Sequence, residues 1–254
     1  MTTRLFVDLP LASGTELSLP PGPARHAQVR RVQPGDTLQL FDGHGSEWPA
    51  EVLAVGRSEV RVRVGLPVSV ATELPLHITV ALAMPANERM DAVVEKATEL
   101  GVARIQPLHS ERSVLRLSGE RAEKKRAHWQ AVAEAACEQC GRARVPVVEP
   151  VRALNDWLAG LPRDTPADGD SLRLLLSLQP DAQPLPQRSA ASTLDPGTRR
   201  VVTLNGPEGG LTHDEEHAAR RAGFLPTTMG PRVLRADTAP LAALAWLAWL
   251  RWSA

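Results

Sequence analysis

The chain has 254 residues with 29 basic and 29 acidic side chains, so its formal net charge is zero. This balance argues against a protein that coats nucleic acid through bulk charge, while a local basic patch remains compatible with it. The length is sufficient for one large core or for two domains of ordinary size. Lysine occurs only at Lys96, Lys124 and Lys125, so arginine carries nearly all the positive charge, which suits bidentate contacts to phosphate or carboxylate.

Targeting and metal-binding signals are weak throughout the chain. Residues 1–10 lack the cationic and apolar regions of a signal peptide, and the most apolar stretch, residues 241–252, is too short to span a bilayer. Cys137 and Cys140 form a Cys-x-x-Cys motif, but its flanks are helical and no second Cys or His cluster lies at metal-ligand spacing. We interpret both cysteines as helix thiols, expect no metal and no membrane contact, and predict a cytoplasmic protein.

Short segments punctuated by glycine and proline fill the first part of the chain. Several alternate apolar and polar residues as half-buried strands do, and they cover residues 4–7, 36–41, 47–55 and 59–64. Glycines at positions 43 and 45 indicate a tight hairpin connection. The pattern predicts a small β-barrel. Its basic run is either a solvated helix face or a contact to phosphate, and it consists of Arg25, His26, Arg30 and Arg31.

Continuous apolar strands that alternate with helices follow, and we place the domain boundary near residues 70–76. Residues 78–83 predict a strand, a helix with an apolar face from Met90 to Leu100 comes next, and residues 104–108 predict another strand. The order β, α, β predicts a parallel sheet. Further predictions are helices over residues 119–139 and 153–159, strands over 145–148 and 172–178, and polar loops over 161–170 and 179–197.

A glycine-rich segment follows the strand predicted for residues 201–204. Gly206-Pro207-Glu208-Gly209-Gly210 allows backbone amides to approach a ligand without intervening side chains. Thr212 and Glu215 have the spacing of a capping box at a helix start. Strand, glycine loop and helix start indicate a ligand site at the carboxyl end of a parallel strand, although a plain glycine turn would give the same pattern.

The last predicted helix is apolar around almost its whole circumference. Asp237 or Thr238 can cap it, and Pro240 is tolerated in a first turn. Its apolar side chains need a cover, which is either the core of the same chain or a second subunit. They are Leu241, Leu244, Ala245, Trp246, Ala248, Trp249 and Leu250.

Six motifs together resemble one family. In chain order they are residues 89–91 (Arg-Met-Asp), 95–102, 110–114 (Ser-Glu-Arg-Ser-Val), 134–142, 206–210 (Gly-Pro-Glu-Gly-Gly) and 230–235 (Gly-Pro-Arg-Val-Leu-Arg). Each motif is weak alone, but their order and spacing cover almost the whole chain. The sequence resembles the bacterial 16S ribosomal RNA uracil-N3 methyltransferases, which are knotted SPOUT methyltransferases.

The resemblance implies an α/β fold with two domains. Residues 1–72 would form a PUA-like β-barrel that binds RNA, and residues 73–254 a SPOUT domain with a carboxyl-terminal trefoil knot. It also implies S-adenosyl-L-methionine as methyl donor, a uridine in the decoding region of 16S ribosomal RNA or of the small ribosomal subunit as substrate, and a homodimer. Sequence rules alone would not predict a knot.

The family's donor-binding loops match residues 178–180, 204–210 and 229–238. On these loops the resemblance implies cofactor contacts from Leu178, Leu204, Gly206, Gly209, Gly210, Met229, Gly230, Val233, Leu234 and Thr238. For RNA binding we single out Arg4, Arg25, Arg30, Arg31 and Arg112.

Uracil N3 carries a proton at neutral pH, so its methylation needs a general base or groups that stabilise the developing uridinate. Glu208 is our candidate base because it lies in the glycine loop, and Arg232 and Arg235 are candidates for stabilising the anion or holding a phosphate. In the alternative, Glu208 only caps the neighbouring helix and the arginines pair with Asp237 or Glu111.

Two positions depart from the family pattern. Asp237 stands where the family usually has glutamate, and Asn205 stands where an aliphatic residue commonly precedes the glycine loop. Two other functions remain open, namely a non-catalytic RNA-binding dimer and a SPOUT methyltransferase for another RNA position. A phosphate-loop hydrolase is disfavoured because the Gly-Lys-Ser/Thr ending is missing.

Overall fold

The computed structural model describes residues 2–85, 89–162, 171–188 and 200–252. The chain divides into two compact units, one of Met1–Glu73 with Glu134–Val145 and one of Leu74–Ala133 with Pro146–Ala254. Our sequence-based division placed residues 134–145 in the second domain, whereas they belong to the first unit. Of the two predicted polar loops, residues 163–170 and 189–197 lie outside the described residues.

The first unit contains a six-stranded sheet and one complete helix. Its elements are β1 (Arg4–Phe6), β2 (Glu16–Ser18), α1 (Pro21–Val29), β3 (Thr37–Phe41), β4 (Ser46–Val55), β5 (Val60–Val64) and β6 (Val68–Ser69). The strand order is β1-β3-β4-β5-β2, with β6 paired to β4. β1 runs parallel to β3 and the other pairs are antiparallel. The predicted hairpin joins β3 to β4.

Alternation along the strands builds the core of this sheet. In β5 the three valines Val60, Val62 and Val64 are buried while Arg61 and Arg63 face solvent, as a half-buried strand requires. Several side chains from the other elements complete the core, and they include Leu5, Ala24, Ala27, Leu38, Leu40 and Val52.

The second unit contains an eight-stranded sheet in which every pair is parallel. Its first elements are β7 (His77–Ala83), α2 (Arg89–Glu99), β8 (Arg104–His109), α3 (Gly119–Cys140), β9 (Val147–Val148), β10 (Arg152–Ala153) and α4 (Leu154–Ala159). They are followed by β11 (Ser171–Leu176), β12 (Gln183–Pro184), α5 (Leu185–Arg188), β13 (Arg200–Asn205), α6 (His213–Arg221), β14 (Leu225–Thr228) and α7 (Thr238–Trp252). The residues of α3 from Glu134 onward belong to the first unit.

The strands of this sheet are apolar on both faces because helices cover both sides. Ile78, Val80 and Leu82 of β7 lie in one buried cluster, which also takes side chains from α2, α3 and α7. Ala81 lies in a second cluster with side chains from α4 and α6. The parallel α/β sheet predicted from the sequence is therefore confirmed.

The strand order β10-β8-β7-β13-β11-β14-β12 places β11, β13 and β14 side by side. Leu175 pairs with Leu204 on one side and Pro226 on the other, so all three strands end at the same edge of the sheet. The segments that follow them therefore meet there. The trefoil knot implied by the resemblance stays a prediction. Among the described residues, no helix is long and apolar enough to cross a membrane.

Candidate active site

A cavity of about 630 Å³ lies at the carboxyl edge of the parallel sheet, a volume within the usual range for small-molecule sites. Three segments build most of its wall. Residues 176–179 start with the last residue of β11, residues 205–211 start with the last residue of β13, and residues 227–236 include the end of β14 and the loop beyond it. The binding region predicted from strand, glycine loop and helix start is thus a concave site at the predicted edge.

Nine of the residues proposed from the sequence border this cavity. They are Leu178, Gly206, Glu208, Gly210, Met229, Arg232, Val233, Leu234 and Arg235. Cofactor and catalytic candidates that lie far apart in the chain therefore come together. Their roles remain proposals.

Four cofactor candidates do not border the cavity. Leu204 is fully buried in the cluster that contains Trp157 and Phe224, because its side chain points to the covered face of β13. Gly209 faces Arg112, and Thr238 begins α7. Gly230 adopts a left-handed φ of 116° and makes its contacts with the Thr228 hydroxyl.

Other cavity residues were not proposed from the sequence. Most lie within or directly beside the three loops, so the loop boundaries were a usable signal for them. They include Leu176, Ser177, Gln179, Asn205, Leu211, Glu216, Thr227, Thr228 and Ala236. Arg89 differs, because it borders the cavity from the start of α2, 117 residues before Gly206 of the glycine loop.

The glycines of the loop serve different purposes. A Cβ on Gly206 would lie 2.8 Å from the backbone nitrogen of Leu211, so this glycine allows the loop to close on itself. Gly210 has a left-handed φ of 68°, and its amide donates to the Pro207 carbonyl over 2.8 Å. A Cβ on Gly209 would make only ordinary contacts with the Arg112 side chain.

The helix after the loop begins with the predicted capping box. Thr212 Oγ1 accepts from the Glu215 amide, and Glu215 Oε2 accepts from the Thr212 amide over 2.9 Å. Glu215 is buried, and its second oxygen accepts from the Glu111 amide over 2.8 Å. One carboxylate thus joins the segment after β8 to the start of α6.

Arg112 supports the glycine loop from the same segment. Its Nη1 donates to the Gly209 carbonyl over 2.9 Å and lies 3.4 Å from the Leu211 carbonyl. We proposed Arg112 for RNA binding, and the structure shows that its guanidinium also holds the loop that borders the cavity. Sequence spacing could not reveal this contact because the partners are 97 residues apart.

Three charged groups meet beside the glycine loop. Arg89 Nη1 lies 3.6 Å from Glu208 Oε1, and Arg89 Nε lies 4.0 Å from Asp237 Oδ2. The capping box of α6 uses Thr212 and Glu215, so the cap does not require Glu208. The Glu208 carboxylate therefore borders the cavity and lies next to the Arg89 guanidinium.

Arg232 and Arg235 are both exposed on the loop after β14 and both border the cavity. Neither forms an ion pair with any residue that the structure describes, so the predicted alternative, pairing with Asp237 or Glu111, is not observed there. Asp237 instead lies near Arg89. Both guanidinium groups are available to an anionic ligand at the mouth of the cavity.

The cavity fits a nucleoside cofactor of moderate size. Its wall combines apolar side chains, such as Leu178 and Val233, with the backbone groups of a glycine loop and a few charged side chains. Asn205 Nδ2 donates to the Gly206 and Ala236 carbonyls over 3.1 Å each, and so joins two of the three loops. Among the described residues, no group of three His, Cys, Asp or Glu side chains could hold a metal ion.

The RNA-binding candidates of the first unit differ from one another. Arg25, Arg30 and Arg31 are exposed. Arg4 is mostly buried, pairs with Glu47 and donates to the Arg142 carbonyl over 3.0 Å. Its guanidinium is engaged within the fold, and its contact to RNA stays a prediction.

The two cysteines are free thiols on α3. Cys137 is buried, and burial raises the pKa of its thiol to about 12. It donates to the Arg144 carbonyl over 3.5 Å. A thiol that stays protonated at neutral pH is inert, which agrees with our interpretation of a structural residue.

A family model described as an RNA methyltransferase domain matches residues 72–248. The chain belongs to the RNA methyltransferase family. A second model, described as an RNA methyltransferase PUA domain, matches residues 24–65, within the first unit. The family membership and the two-part α/β fold inferred from the motifs are confirmed.

Relatives of this methyltransferase share most of its length. A protein named ribosomal RNA small subunit methyltransferase E from Synechocystis is 33% identical over 84% of this chain and 66% of its own length. Ribosomal RNA small subunit methyltransferase E from Neisseria gonorrhoeae was solved by crystallography bound to S-adenosyl methionine. Its sequence is 36% identical to this chain, and the two structures superpose with a TM-score of 0.88. A methyltransferase from Legionella pneumophila, in complex with the same cofactor, is 32% identical with a TM-score of 0.88. Each structural alignment covers 98% of both chains.

Proposed function

We propose that this methyltransferase transfers the methyl group of S-adenosyl-L-methionine to N3 of a uridine in 16S ribosomal RNA. The observation that carries the proposal is the three-loop cavity of about 630 Å³, with Glu208, Arg232 and Arg235 at its border. Two similar proteins, at 36% and 32% identity, were solved with this cofactor. The relatives from Synechocystis and Neisseria gonorrhoeae are both named as methyltransferases of small-subunit ribosomal RNA.

The bound cofactor supplies an electrophilic methyl group on a sulfonium. The residues of this chain then have to hold donor and acceptor in line at near-attack distance, because methyl transfer is a displacement. Residues 206–208, 210 and 211 border the cavity, and the backbone groups of this glycine loop suit the nucleoside part. The apolar side chains of Leu178, Val233 and Leu234 also border the cavity and suit packing against the apolar parts of the cofactor.

Glu208 is proposed to take the proton from uridine N3. It is a carboxylate at the cavity border, and Arg89 lies 3.6 Å away, where its charge orients the carboxylate. Arg232 and Arg235 then stabilise the uridinate oxygens or hold an adjacent phosphate. Removal of the proton from N3 would free the nitrogen lone pair to accept the methyl group, with the thioether of the cofactor as the leaving group.

The first unit is proposed to recognise RNA, as the PUA description of its family model suggests. Its exposed arginines Arg25, Arg30 and Arg31 would contact phosphates, which positions a substrate without reading its sequence. In this proposal residues 1–72 remain the RNA-binding domain and residues 73–254 the catalytic and dimerisation domain, with residues 134–145 grouped with the first unit in the fold. A trefoil knot and a homodimer are part of it.

The test is methylation of small-subunit RNA by the purified protein, followed by mapping of the modified nucleotide. Transfer to another atom or another RNA would overturn the proposed specificity. Glu208→Gln should lower kcat by about 10²-fold or more, the usual contribution of a general base, while cofactor affinity changes little. Raising the pH should partly restore the variant, because uridine N3 then ionises without a base.

Glu216→Gln provides the matched comparison, since Glu216 is the other glutamate at the cavity border. Its Oε1 lies 3.5 Å from the Ser177 hydroxyl, which indicates a supporting role in the wall. We expect a loss of less than about tenfold, because glutamine keeps an oxygen that can accept from the Ser177 hydroxyl. A larger loss in Glu216→Gln than in Glu208→Gln would move the base assignment to Glu216.

A further inference from the structure

Asn205 ends β13 at the cavity, where the sequence resemblance leads one to expect an aliphatic side chain. It is only 3% exposed. A buried amide has to find partners for both its nitrogen and its oxygen, because burying either group without a hydrogen bond is unfavourable. The partners of Asn205 therefore indicate what the residue is for.

The amide nitrogen is satisfied and the oxygen is not. Nδ2 donates to the carbonyls of Gly206 and Ala236, which can only accept, so the orientation of the amide is settled. Oδ1 is buried and accepts no hydrogen bond from the described residues. Asn205 is one of the residues that border the cavity, so a ligand bound there would lie beside this amide.

A second buried oxygen without a described donor belongs to Asp237. This residue directly follows Ala236, whose carbonyl accepts from Asn205 Nδ2. Asp237 Oδ1 is also buried without a donor among the described residues, while its Oδ2 lies 4.0 Å from Arg89 Nε. Asn205 and Asp237 are the two positions at which this chain departs from the family pattern. Of the two departures, Asn205 adds an acceptor oxygen where the glycine loop meets the loop after β14, and Asp237 keeps a carboxylate there.

We propose that Asn205 Oδ1 accepts a hydrogen bond from a hydroxyl or amino donor of the bound nucleoside cofactor. Asn205 is then a binding residue that this chain adds to the backbone contacts of its glycine loop. The inference rests on the proposed function for the nature of the ligand. It assigns Asn205 two roles, since Nδ2 holds two loops together and Oδ1 contacts the ligand.

Calorimetry with S-adenosylhomocysteine tests the inference without turnover. Four analogues each lack one donor, namely the exocyclic amine, the 2′-hydroxyl, the 3′-hydroxyl or the α-ammonium. One of them should bind wild type about tenfold more weakly than the parent ligand, the effect of one lost hydrogen bond. In Asn205→Leu the parent ligand and that same analogue should bind equally.

Asn205→Asp separates the two roles of the amide. It keeps an acceptor oxygen and loses both N–H donors, so it should bind more weakly overall while still discriminating against the same analogue. Thr203→Val is the control, because Thr203 Oγ1 is another buried oxygen on β13 without a described partner, but Thr203 does not border the cavity. Its affinity for every ligand should equal that of wild type.

The outcomes separate this inference from the proposed function. If wild type bound none of the ligands, the proposed function would be wrong. If wild type bound them and the discrimination were the same in Asn205→Leu as in wild type, the inference about Asn205 would be wrong. If Asn205→Leu does not fold, the same titrations are made with Asn205→Ala. Loss of discrimination in Asn205→Ala would support the inference, and unchanged discrimination would overturn it.

Discussion

Individual residues of the glycine loop have unequal importance, although they look alike in the sequence. From the motif alone, each glycine would serve to let a ligand approach the backbone. In the structure Gly206 is required by the loop itself, Gly210 by its left-handed backbone, and Gly209 by neither. The distinction depends on neighbours such as Leu211 and Arg112, which a motif does not show.

Gly206→Ala and Gly209→Ala should therefore behave differently. A Cβ at 2.8 Å from a backbone nitrogen forces the loop to shift, so Gly206→Ala should cost about 1–3 kcal/mol of stability and lower cofactor affinity at least about tenfold. Gly209→Ala should stay within about 0.5 kcal/mol of wild type. Thermal unfolding and calorimetry measure both, and equal effects of the two substitutions would contradict our account of the loop.

Arg4 is a basic residue whose role depends on its burial. An exposed arginine and a buried one are indistinguishable in a sequence, and a basic residue near a predicted RNA surface invites the same interpretation. Its partners Glu47 and Arg142 lie 43 and 138 residues away in the chain. Phe41 lies under the guanidinium, with its ring centroid 5.0 Å away. The residue contributes to the fold of the first unit.

The end of helix α1 has an unusual backbone. Val32 N donates to the Ala27 carbonyl and Arg31 N to the Gln28 carbonyl, which together form a Schellman motif. The position at its centre normally holds glycine, but here Arg31 adopts a left-handed φ of 57°. A side chain in this conformation costs on the order of 1 kcal/mol, and Arg31 is exposed beside Arg30.

Arg31→Gly should therefore raise stability while it weakens RNA binding. Relief of the backbone should raise the free energy of unfolding by up to about 1 kcal/mol. The slope of log RNA affinity against log salt concentration should fall by about one, because one phosphate contact is lost. Arg30→Gly is the matched variant, because Arg30 has an ordinary φ of −74° and loses the same charge. It should weaken RNA binding without the stability gain. Chemical denaturation and RNA titrations at several salt concentrations decide the matter, and unchanged RNA affinity in Arg31→Gly would exclude the contact.

Helix α6 shows how elements combine at the site. Its capping box was predictable because Thr212 and Glu215 are three residues apart and act locally. The second bond of Glu215, to the Glu111 amide, was not predictable because its partner lies 104 residues away. The same carboxylate thus starts a helix and holds the segment from which Arg112 reaches the glycine loop.

At the scale of the whole molecule, helix α7 has a covered face and an open face. Ala243, Leu244 and Leu247 are fully buried in the core of the second unit. Trp249 is 64% exposed, and Trp246 is only partly buried. The core of the second unit therefore covers one side of the helix, and apolar surface remains on the other side.

We predict a homodimer in which a second copy covers the open face of α7. Burying one large apolar side chain contributes roughly 1.5–3 kcal/mol, so removing Trp249 from the interface should weaken association strongly. In sedimentation experiments wild type should be a dimer at micromolar concentration and Trp249→Glu a folded monomer. Leu66→Glu, which changes an apolar residue that is 75% exposed in the first unit, should remain dimeric. A monomeric wild type would rule the dimer out.

By itself the sequence determined the features that depend on neighbours within a few residues. Alternating valines predicted β5, apolar runs predicted the parallel strands, and the Gly-Pro-Glu-Gly-Gly loop with its capping box located the ligand edge. The order of the motifs identified the family. Hydrophobic periodicity and turn chemistry are local, which is why they can be interpreted without coordinates.

Only the tertiary structure decided which distant residues meet. Arg89 lies beside Glu208, and Arg112 donates to the Gly209 carbonyl. Residues 134–145 group with the first unit, and the side-chain oxygen of Asn205 is buried without a donor among the described residues. Such contacts depend on the path of the chain between the partners, and no local pattern encodes that path. The chemistry of the site depends on these long-range contacts because burial and the distance between charges set the strength of each interaction.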